Sequence, residues 1–381
     1  MKIVGVICEY NPFHMGHKKQ FDAIRAAFGE DTAIVCIMSG SFVQRGQPAI
    51  FHKSLRTEAA IRCGADLVLE LPVSYALSSA EGFAAGGVAI ASKFCDYLCF
   101  GAETGTAETL MATAKCLLIP EFSAALRAQL DKGISFPAAR QSALLALGQN
   151  ASLLESPNDV LGLEYCKAIL SQGSTMRPFV IPREGSYHAT EPDRENPSAT
   201  SLRQLLTDHK AWQSYVPEAA VQIFTDAAIY TITAGERSIL ARLRTMSDTD
   251  FEALPYGSEG LWRKLMHNCR RCATLEQILT ATKSKRYTRS RLDRMVMCAF
   301  LGLTAKDMLA IPPYVRVLGL SEMGRSVLKI ARKSGQFPHV GEKTGHEYEA
   351  LEQRIDDLYG LFREGSPAAP REKLRVYIKG K

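Results

Sequence analysis

The chain is short of the features that mark several protein classes. No apolar run approaches the length of a membrane span. Met1 leads straight into "KIVGVICEY", with no basic leader, no long apolar core and no small-residue cleavage site. That opening reads as a strand, not a secretory signal. The ten cysteines follow no framework spacing, and Cys8, Cys36 and Cys99 fall inside apolar segments. Reduced, buried thiols in a cytoplasmic protein are the expectation. "HNCRRC" holds one Cys-x-x-Cys, Cys269 and Cys272, but no second ligand pair follows at zinc spacing, so no metal site is assigned. There is no internal repeat and no low-complexity segment. The net charge of +6 is too mild to demand nucleic acid by itself.

What is present is length and alternation. The 381 residues suffice for two domains and a sizeable core. "KIVGVIC", "TAIVCIM", "ADLVLELP" and "DYLCFG" are apolar strand patterns. Between them lie helix patterns: one from His17 ended by Gly29, "KSLRTEAAIRCG" closed by Gly64, and "SSAEGFAAGGVAIAS". Continuous apolar strands alternating with helices predict an α/β fold, a parallel sheet covered on both faces. Residues 108–172 read mostly as helix, "TMRPFVIP" as another strand, and "SATSLRQLLTDHK" as a helix start. After Trp212 the strand pattern fades. The expected division is a catalytic domain over 1–215 and a mainly helical, basic domain over 216–381. The last stretch, "REGSPAAPREKLRVYIKGK", reads as a loosely held tail.

"CEYNPFHMGHKKQ" carries His14 and His17 in a tight loop directly after the first strand. Open parallel sheets bind ligands beyond the carboxyl ends of their strands, at helix N-termini. Such an N-terminus offers free N–H groups and a positive dipole end to phosphate, and Gly16 lets the backbone come close. Two imidazoles there suit charge growing on phosphate oxygens in a transition state. The competing reading, a solvated or capping histidine, is weakened by the pairing and by the position at the first strand-to-helix turn.

This His-x-Gly-His pattern resembles the signature of the HxGH nucleotidyltransferase superfamily. "SATSLR", Ser198 to Arg203, resembles its second signature. The ordered motifs "GVICEYNPFHMGH", "MSGSFVQRGQPAIF", "GADLVLELP", "FGAETG", "SPNDVLGLEY", "REGSYH" and "SATSLR" are similar to the bacterial tRNA(Met) cytidine acetate ligase family over about the first 210 residues. The resemblance implies a Rossmann-like nucleotidyltransferase fold. It implies an enzyme that joins acetate to ATP, releases pyrophosphate, and passes the acetyl group to N4 of the wobble cytidine in elongator tRNA(Met). ATP is then the co-substrate, Mg²⁺ its expected helper, and acetate the second small substrate.

The same resemblance assigns residues. His14 and His17 would stabilise the α-phosphate during attack. The ATP loop would comprise Ile7, Cys8, Glu9, Tyr10, Asn11, Pro12, Phe13, His14, Met15, Gly16, His17, Lys18, Lys19 and Gln20. Gly101, Asn158 and Arg183 match nucleotide-contacting positions, while Ser198, Thr200 and Arg203 would take the terminal phosphates. Met15 stands where family members often carry asparagine, so any polar contact from that side chain is absent. Several residues keep an ordinary reading alongside: Gly101 as a strand end, Asn158 as a cap, Arg183 as a surface ion pair with Glu184, Ser198 and Thr200 as caps. Arg45 and Lys53 stay open between ATP, RNA and solvent.

"TKSKRYTRSRLDRMVMCAFLGL" gathers Lys283, Lys285, Arg286, Arg289 and Arg291 around Tyr287, ahead of an apolar face of Leu292, Met295, Val296, Ala299 and Leu303. Arginines in a first helical turn oppose the dipole, and a phosphate ligand would relieve that conflict. We expect tRNA backbone contact here; a solvated basic helix is the plainer reading. Two other functions share features with this chain. A small-molecule adenylyl- or cytidylyltransferase would leave the basic helical half without a purpose. A non-catalytic RNA-binding protein would leave the histidine pair without one.

Overall fold

A computed structural model describes residues 1–183, 197–308, 314–333, 347–365 and 376–380. Nine strands form in these segments. They are β1 (Ile3–Cys8), β2 (Ala33–Ser39), β3 (Phe42–Val43), β4 (Gln47–Pro48), β5 (Leu67–Leu71), β6 (Tyr97–Ala102), β7 (Arg177–Pro182), β8 (Val317–Leu320) and β9 (Tyr377–Ile378). Seven make one sheet in the order β7-β6-β1-β2-β5-β8-β9, and β3 and β4 form a separate hairpin. From β7 to β5 every pairing is parallel. The predicted α/β fold with helices on both faces is present.

The period of two along each strand builds two cores. Ile3, Val35, Ile37, Leu67 and Leu69 face helices Ala80–Ala91, Ala107–Leu117, Pro157–Ser171 and Glu322–Lys333. Val4, Val6, Ile34, Cys36 and Val68 face helices Met15–Phe28, Lys53–Arg62, Ala199–Thr207 and Glu218–Phe224. The second of these helices carries two fully buried cations. Lys53 pairs with Glu70 and with Asp356, each at 2.6 Å, so it is bound neither to ATP nor to RNA. A third core belongs to the helical part: Ile239, Phe251, Leu265, Ile278, Leu292, Met295 and Tyr359 lie together there. All five predicted apolar-face residues, Leu292, Met295, Val296, Ala299 and Leu303, are buried in it.

Three expectations change. The strand pattern does not end near Trp212. β8 lies antiparallel to β5 and carries β9 beside it, so the sheet draws on both ends of the chain. β8 is only four residues, "VLGL", too short to stand out in sequence. Tyr377–Ile378, read as loose tail, are pinned by that pairing. The first helix also starts earlier than His17, at Met15, with His14 as its N-cap. Gly29 does end it, at φ 92°. A boundary at 215 thus divides the sequence but not the sheet.

Chain order decides where a ligand fits. β1 leads to β2 on one side, and the later strand β6 returns to the other side of β1. The carboxyl ends of β1 and β6 therefore flank the switch point, the standard crevice of open α/β sheets.

Candidate active site

The loop after β1 is shaped before any ligand arrives. Tyr10 is left-handed at φ 45°, and the Asn11–Pro12 peptide is cis. Asn11 Oδ1 accepts the Ile50 N–H at 2.7 Å, and its carbonyl accepts Arg203 Nη1 at 2.8 Å. Tyr10 and Phe13 are buried and pack edge-on at 4.9 Å. Both rings also touch His17, at 4.8 and 5.4 Å between centroids. The aromatics therefore hold one histidine by its edges.

The other contacts set the proton positions. Gly16 N–H donates to Nδ1 of His14 at 3.1 Å. His14 N–H donates to Nδ1 of His17 at 3.2 Å. This is a capping box built from two histidines. Both Nδ1 atoms are acceptors, so each neutral ring carries its proton on Nε2. The rings stack at 3.7 Å with 24° between planes. Burial, with Arg183 and Arg203 nearby, lowers His14 to about 3. Burial, His14 and Arg183 hold His17 well below its ordinary value. The pair is therefore neutral at pH 7 and offers two Nε2–H donors without charge of its own.

Cationic groups surround it. Arg203 donates to Asn11 O and to Thr200 Oγ1, the latter at 3.1 Å. Burial lowers it to about 10, which leaves it charged at neutral pH. Ser198 caps the Ala199–Thr207 helix by accepting the Ser201 N–H at 3.0 Å, as expected from sequence. Glu9 accepts the Gln44 N–H at 2.6 Å, and burial raises its carboxyl despite Arg203, Arg56 and Arg45.

The β6 side brings Gly101, Asn158 and Arg183 together. A Cβ on Gly101 would lie 2.8 Å from Cγ of Arg183, so only glycine lets that side chain cross the strand end. Arg183 Nη1 donates to Asn158 Oδ1 at 3.1 Å, and Asn158 Nδ2 donates to Glu103 at 2.5 Å. Asn158 is inside its helix, which Ser156 begins, so it is not the cap. Glu184 and the rest of "REGSYH" lie outside the described residues. The remaining loop residues are positioned by packing: Ile7 against Gly87, Cys8 Sγ on Ile37 O at 3.7 Å, Gln20 Nε2 on Cys99 O at 3.5 Å, Lys18 with Asp22.

Two positioning groups were not read from the sequence. Arg56 is fully buried and donates to Phe51 O at 2.9 Å, Glu9 O at 2.6 Å, Ser39 O at 3.1 Å and Gly40 O. It ties the ends of β1 and β2 together. Buried Asp159 accepts the N–H groups of Glu103, Thr104 and Gly105 at 3.0, 3.1 and 3.1 Å and shapes the loop after β6. The only signal for Arg56 was its place among small apolar residues, in "SLRTEAA".

The helical region differs from expectation in its wiring. Arg289 is bidentate on Glu276 at 2.8 and 2.7 Å and also meets Asp293 at 2.9 Å. Arg286 pairs with Glu259 at 3.1 Å, and Arg291 donates to Tyr256 O at 2.8 Å. The dipole conflict is thus relieved by the protein's own acceptors. Lys283 and Lys285 are exposed. Cys269 is buried, its thiol pushed up to about 12, and among the described residues no group of three His, Cys, Asp or Glu side chains can hold a metal. Among the described residues no single helix is long and apolar enough to cross a membrane.

Comparison with known proteins decides the family. The HIGH Nucleotidyl Transferase family model matches residues 1–373. The tRNA(Met) cytidine acetate ligase of Acetivibrio thermocellus is 34% identical, covering 89% of this chain and 88% of that protein. That of Clostridium acetobutylicum is 32% identical, covering 93% and 94%. The chain belongs to the tRNA(Met) cytidine acetate ligase family. Among solved structures, Thermotoga maritima TmcAL without ligand matches with a TM-score of 0.91 at 29% identity, over 99% of this chain and 100% of that one. The same protein bound with alpha-thio ATP matches at 0.88 and 28%, with the same coverage. This member of the ligase family keeps both signature segments at its strand ends.

Proposed function

We propose that this protein is an ATP-dependent tRNA-modifying ligase that activates acetate and acetylates N4 of the wobble cytidine of elongator tRNA(Met). One observation carries the reading: two stacked, neutral histidines whose Nε2–H groups are fixed by backbone contacts at the sheet's switch point. An acetate oxygen attacks the α-phosphorus of ATP, and the bond to the β-phosphate bridging oxygen breaks. Acetyl-adenylate and pyrophosphate result. Charge grows on the α-phosphate oxygens, and the two Nε2–H donors of His14 and His17 stabilise it. Neutral donors gain strength as that charge develops, and they need no proton uptake from solvent.

Arg203, Thr200 and the Ser198-capped helix start bind the leaving β- and γ-phosphates. The Ile7–Gln20 loop encloses the nucleotide, with Gly101, Asn158 and Arg183 on its other side. The cytidine N4 then attacks the acetyl carbonyl, AMP leaves, and N4 gives up a proton. The ATP-handling residues all precede residue 215. Lys283 and Lys285 offer exposed charge to the tRNA from the helical part, while Arg286, Arg289 and Arg291 are held by Glu259, Glu276 and the Tyr256 carbonyl. The reaction is cytoplasmic, where ATP, acetate and tRNA meet.

The test is pyrophosphate release from purified protein with ATP, Mg²⁺ and acetate, followed by mass spectrometry of added elongator tRNA(Met). Acetate-dependent release with one acetyl mass on the anticodon cytidine is expected. Release without acetate dependence would sink the reading.

A further inference from the structure

We propose that Arg45, at the tip of the β3–β4 hairpin, binds a backbone phosphate of the acceptor RNA next to the nucleotide being acetylated. The proposal rests on the acetyl-transfer reading above and adds a residue to it.

The hairpin follows β2 directly and stands between two parts of the molecule. Gly46 closes its turn with an N–H to Val43 O at 2.9 Å and sits at φ 71°. A Cβ on Gly46 would lie 2.4 Å from the carbonyl carbon of Asp293 and 2.5 Å from the Arg294 nitrogen. The turn is therefore pressed against the backbone of helix Arg289–Leu301, at a place where only glycine fits. Gln44 joins the two sides. Its N–H donates to Glu9 in the ATP loop at 2.6 Å, and its carbonyl accepts Arg294 Nη1 at 3.4 Å. Phe42 is buried edge-on to Tyr359 and Phe362, at 5.9 and 5.5 Å. The base of the hairpin is rigid.

Arg45 lies between Gln44 and Gly46, and its side chain is exposed. Its neighbour Gln44 is bonded to Glu9 in the ATP loop, and its charge partly offsets the rise that burial gives the Glu9 carboxyl and adds slightly to the lowering of Arg203. The hairpin touches both helix Arg289–Leu301 and the ATP loop, so an RNA bound to both would lie against it. A guanidinium fork on its tip suits a backbone phosphate there. Arg203 sits instead on the element that carries Ser198 and Thr200, and takes the triphosphate. The fixed hairpin holds the attacking amine's backbone in register with the acyl group, which is positioning more than chemistry.

The two half-reactions separate the possibilities. Acetate-dependent exchange of ATP with pyrophosphate, run without RNA, comes first. If the unaltered protein shows none, the acetate-ligase reading fails and this proposal goes with it. Where exchange is present, Arg45→Ala is expected to raise the KM for tRNA in acetyl transfer by about tenfold. The ATP KM in the exchange reaction should move far less. The salt dependence of tRNA binding should flatten by about one unit of log–log slope, and Arg45→Lys should recover part of both losses. An ATP KM that rises as much as the tRNA KM makes Arg45 an ATP ligand and overturns the proposal. No change in either KM overturns it too. Circular dichroism of both variants checks that the exposed substitution leaves the fold intact.

Discussion

Two arginine-rich regions of this protein are wired in opposite ways. At the strand ends, Arg56, Arg183 and Arg203 donate to carbonyls, an amide and a hydroxyl, with Glu9 the one carboxylate shown to act on Arg203. At the start of helix Arg289–Leu301, Arg286 and Arg289 donate to Glu259, Glu276 and Asp293. The first arrangement orients guanidinium groups with no direct carboxylate ion pair among the described residues. The second cancels charge locally. Equal-looking clusters of basic residues in sequence therefore have unequal pull on phosphate. The difference lies in the partner: a carbonyl satisfies a donor without neutralising it, whereas a carboxylate does both.

The sharpest way to break this contrast is at the neutral histidines. His14→Ala or His17→Ala is expected to lower acetate-dependent ATP–pyrophosphate exchange by about 10²–10³-fold. tRNA affinity should stay near that of the unaltered protein. His14 also caps a helix, and losing that contact costs about 1 kcal/mol, so the melting temperature must be followed alongside. Full exchange in either variant would remove the histidines from the chemistry.

A smaller effect tests the cancelled region. Replacing Lys283 and Lys285 together with alanine is expected to weaken tRNA binding about tenfold and flatten its salt slope by about 1.5. Arg289→Ala should do much less, because Glu276 already holds that guanidinium. Glu276→Gln should strengthen binding by releasing it. The Arg289–Glu276 pair is largely exposed, so its removal should cost less than about 1 kcal/mol of stability. If Arg289→Ala matches the double lysine variant, the pair opens on RNA binding and the contrast between regions fails.

An effect of a different kind is on acid stability. The folded-state pKa of His14, about 3, lies below its ordinary 6.5, and that of His17 is lowered in the same direction. The unfolded chain therefore binds more protons in that interval. Stability contributed by the pair is present above the unfolded value and is lost as pH falls towards the folded one. Melting temperature should drop between about pH 6.5 and pH 4, and His14→Asn should flatten part of that fall. An unchanged slope in the variant would mean that the buried histidine is not what the acid limb reports.

The local geometry of the loop after β1 was legible in the sequence. His14 and His17 sit in one strand-to-helix turn, which brings its own residues together without help from distant chain, whereas Arg203 reaches that loop from 192 residues away. The legible part stops where partners come from far away. Arg289 lies 13 residues from Glu276, but nothing in the spacing says that the two helices fold back on each other. Lys53 reads as a surface cation in "FHKSLR", yet Asp356, 303 residues away, buries it. Arg56 reads as an ordinary helix residue, and four backbone carbonyls from three chain segments make it a clamp.

Local pattern by itself determined the parallel sheet, a helix directly after the first strand though not its start at Met15, and the capping serine at Ser198. These follow from periodicity, turn chemistry and the orphan N–H groups of helix starts, all of which act within a few residues. Tertiary structure alone decided that β8 and β9 complete the sheet, that the histidines are neutral, and which arginines keep their charge available. Each of those depends on burial and on acceptors supplied from elsewhere in the chain. Electrostatic energy is set by what surrounds a group, and sequence neighbours are only a small part of that surrounding.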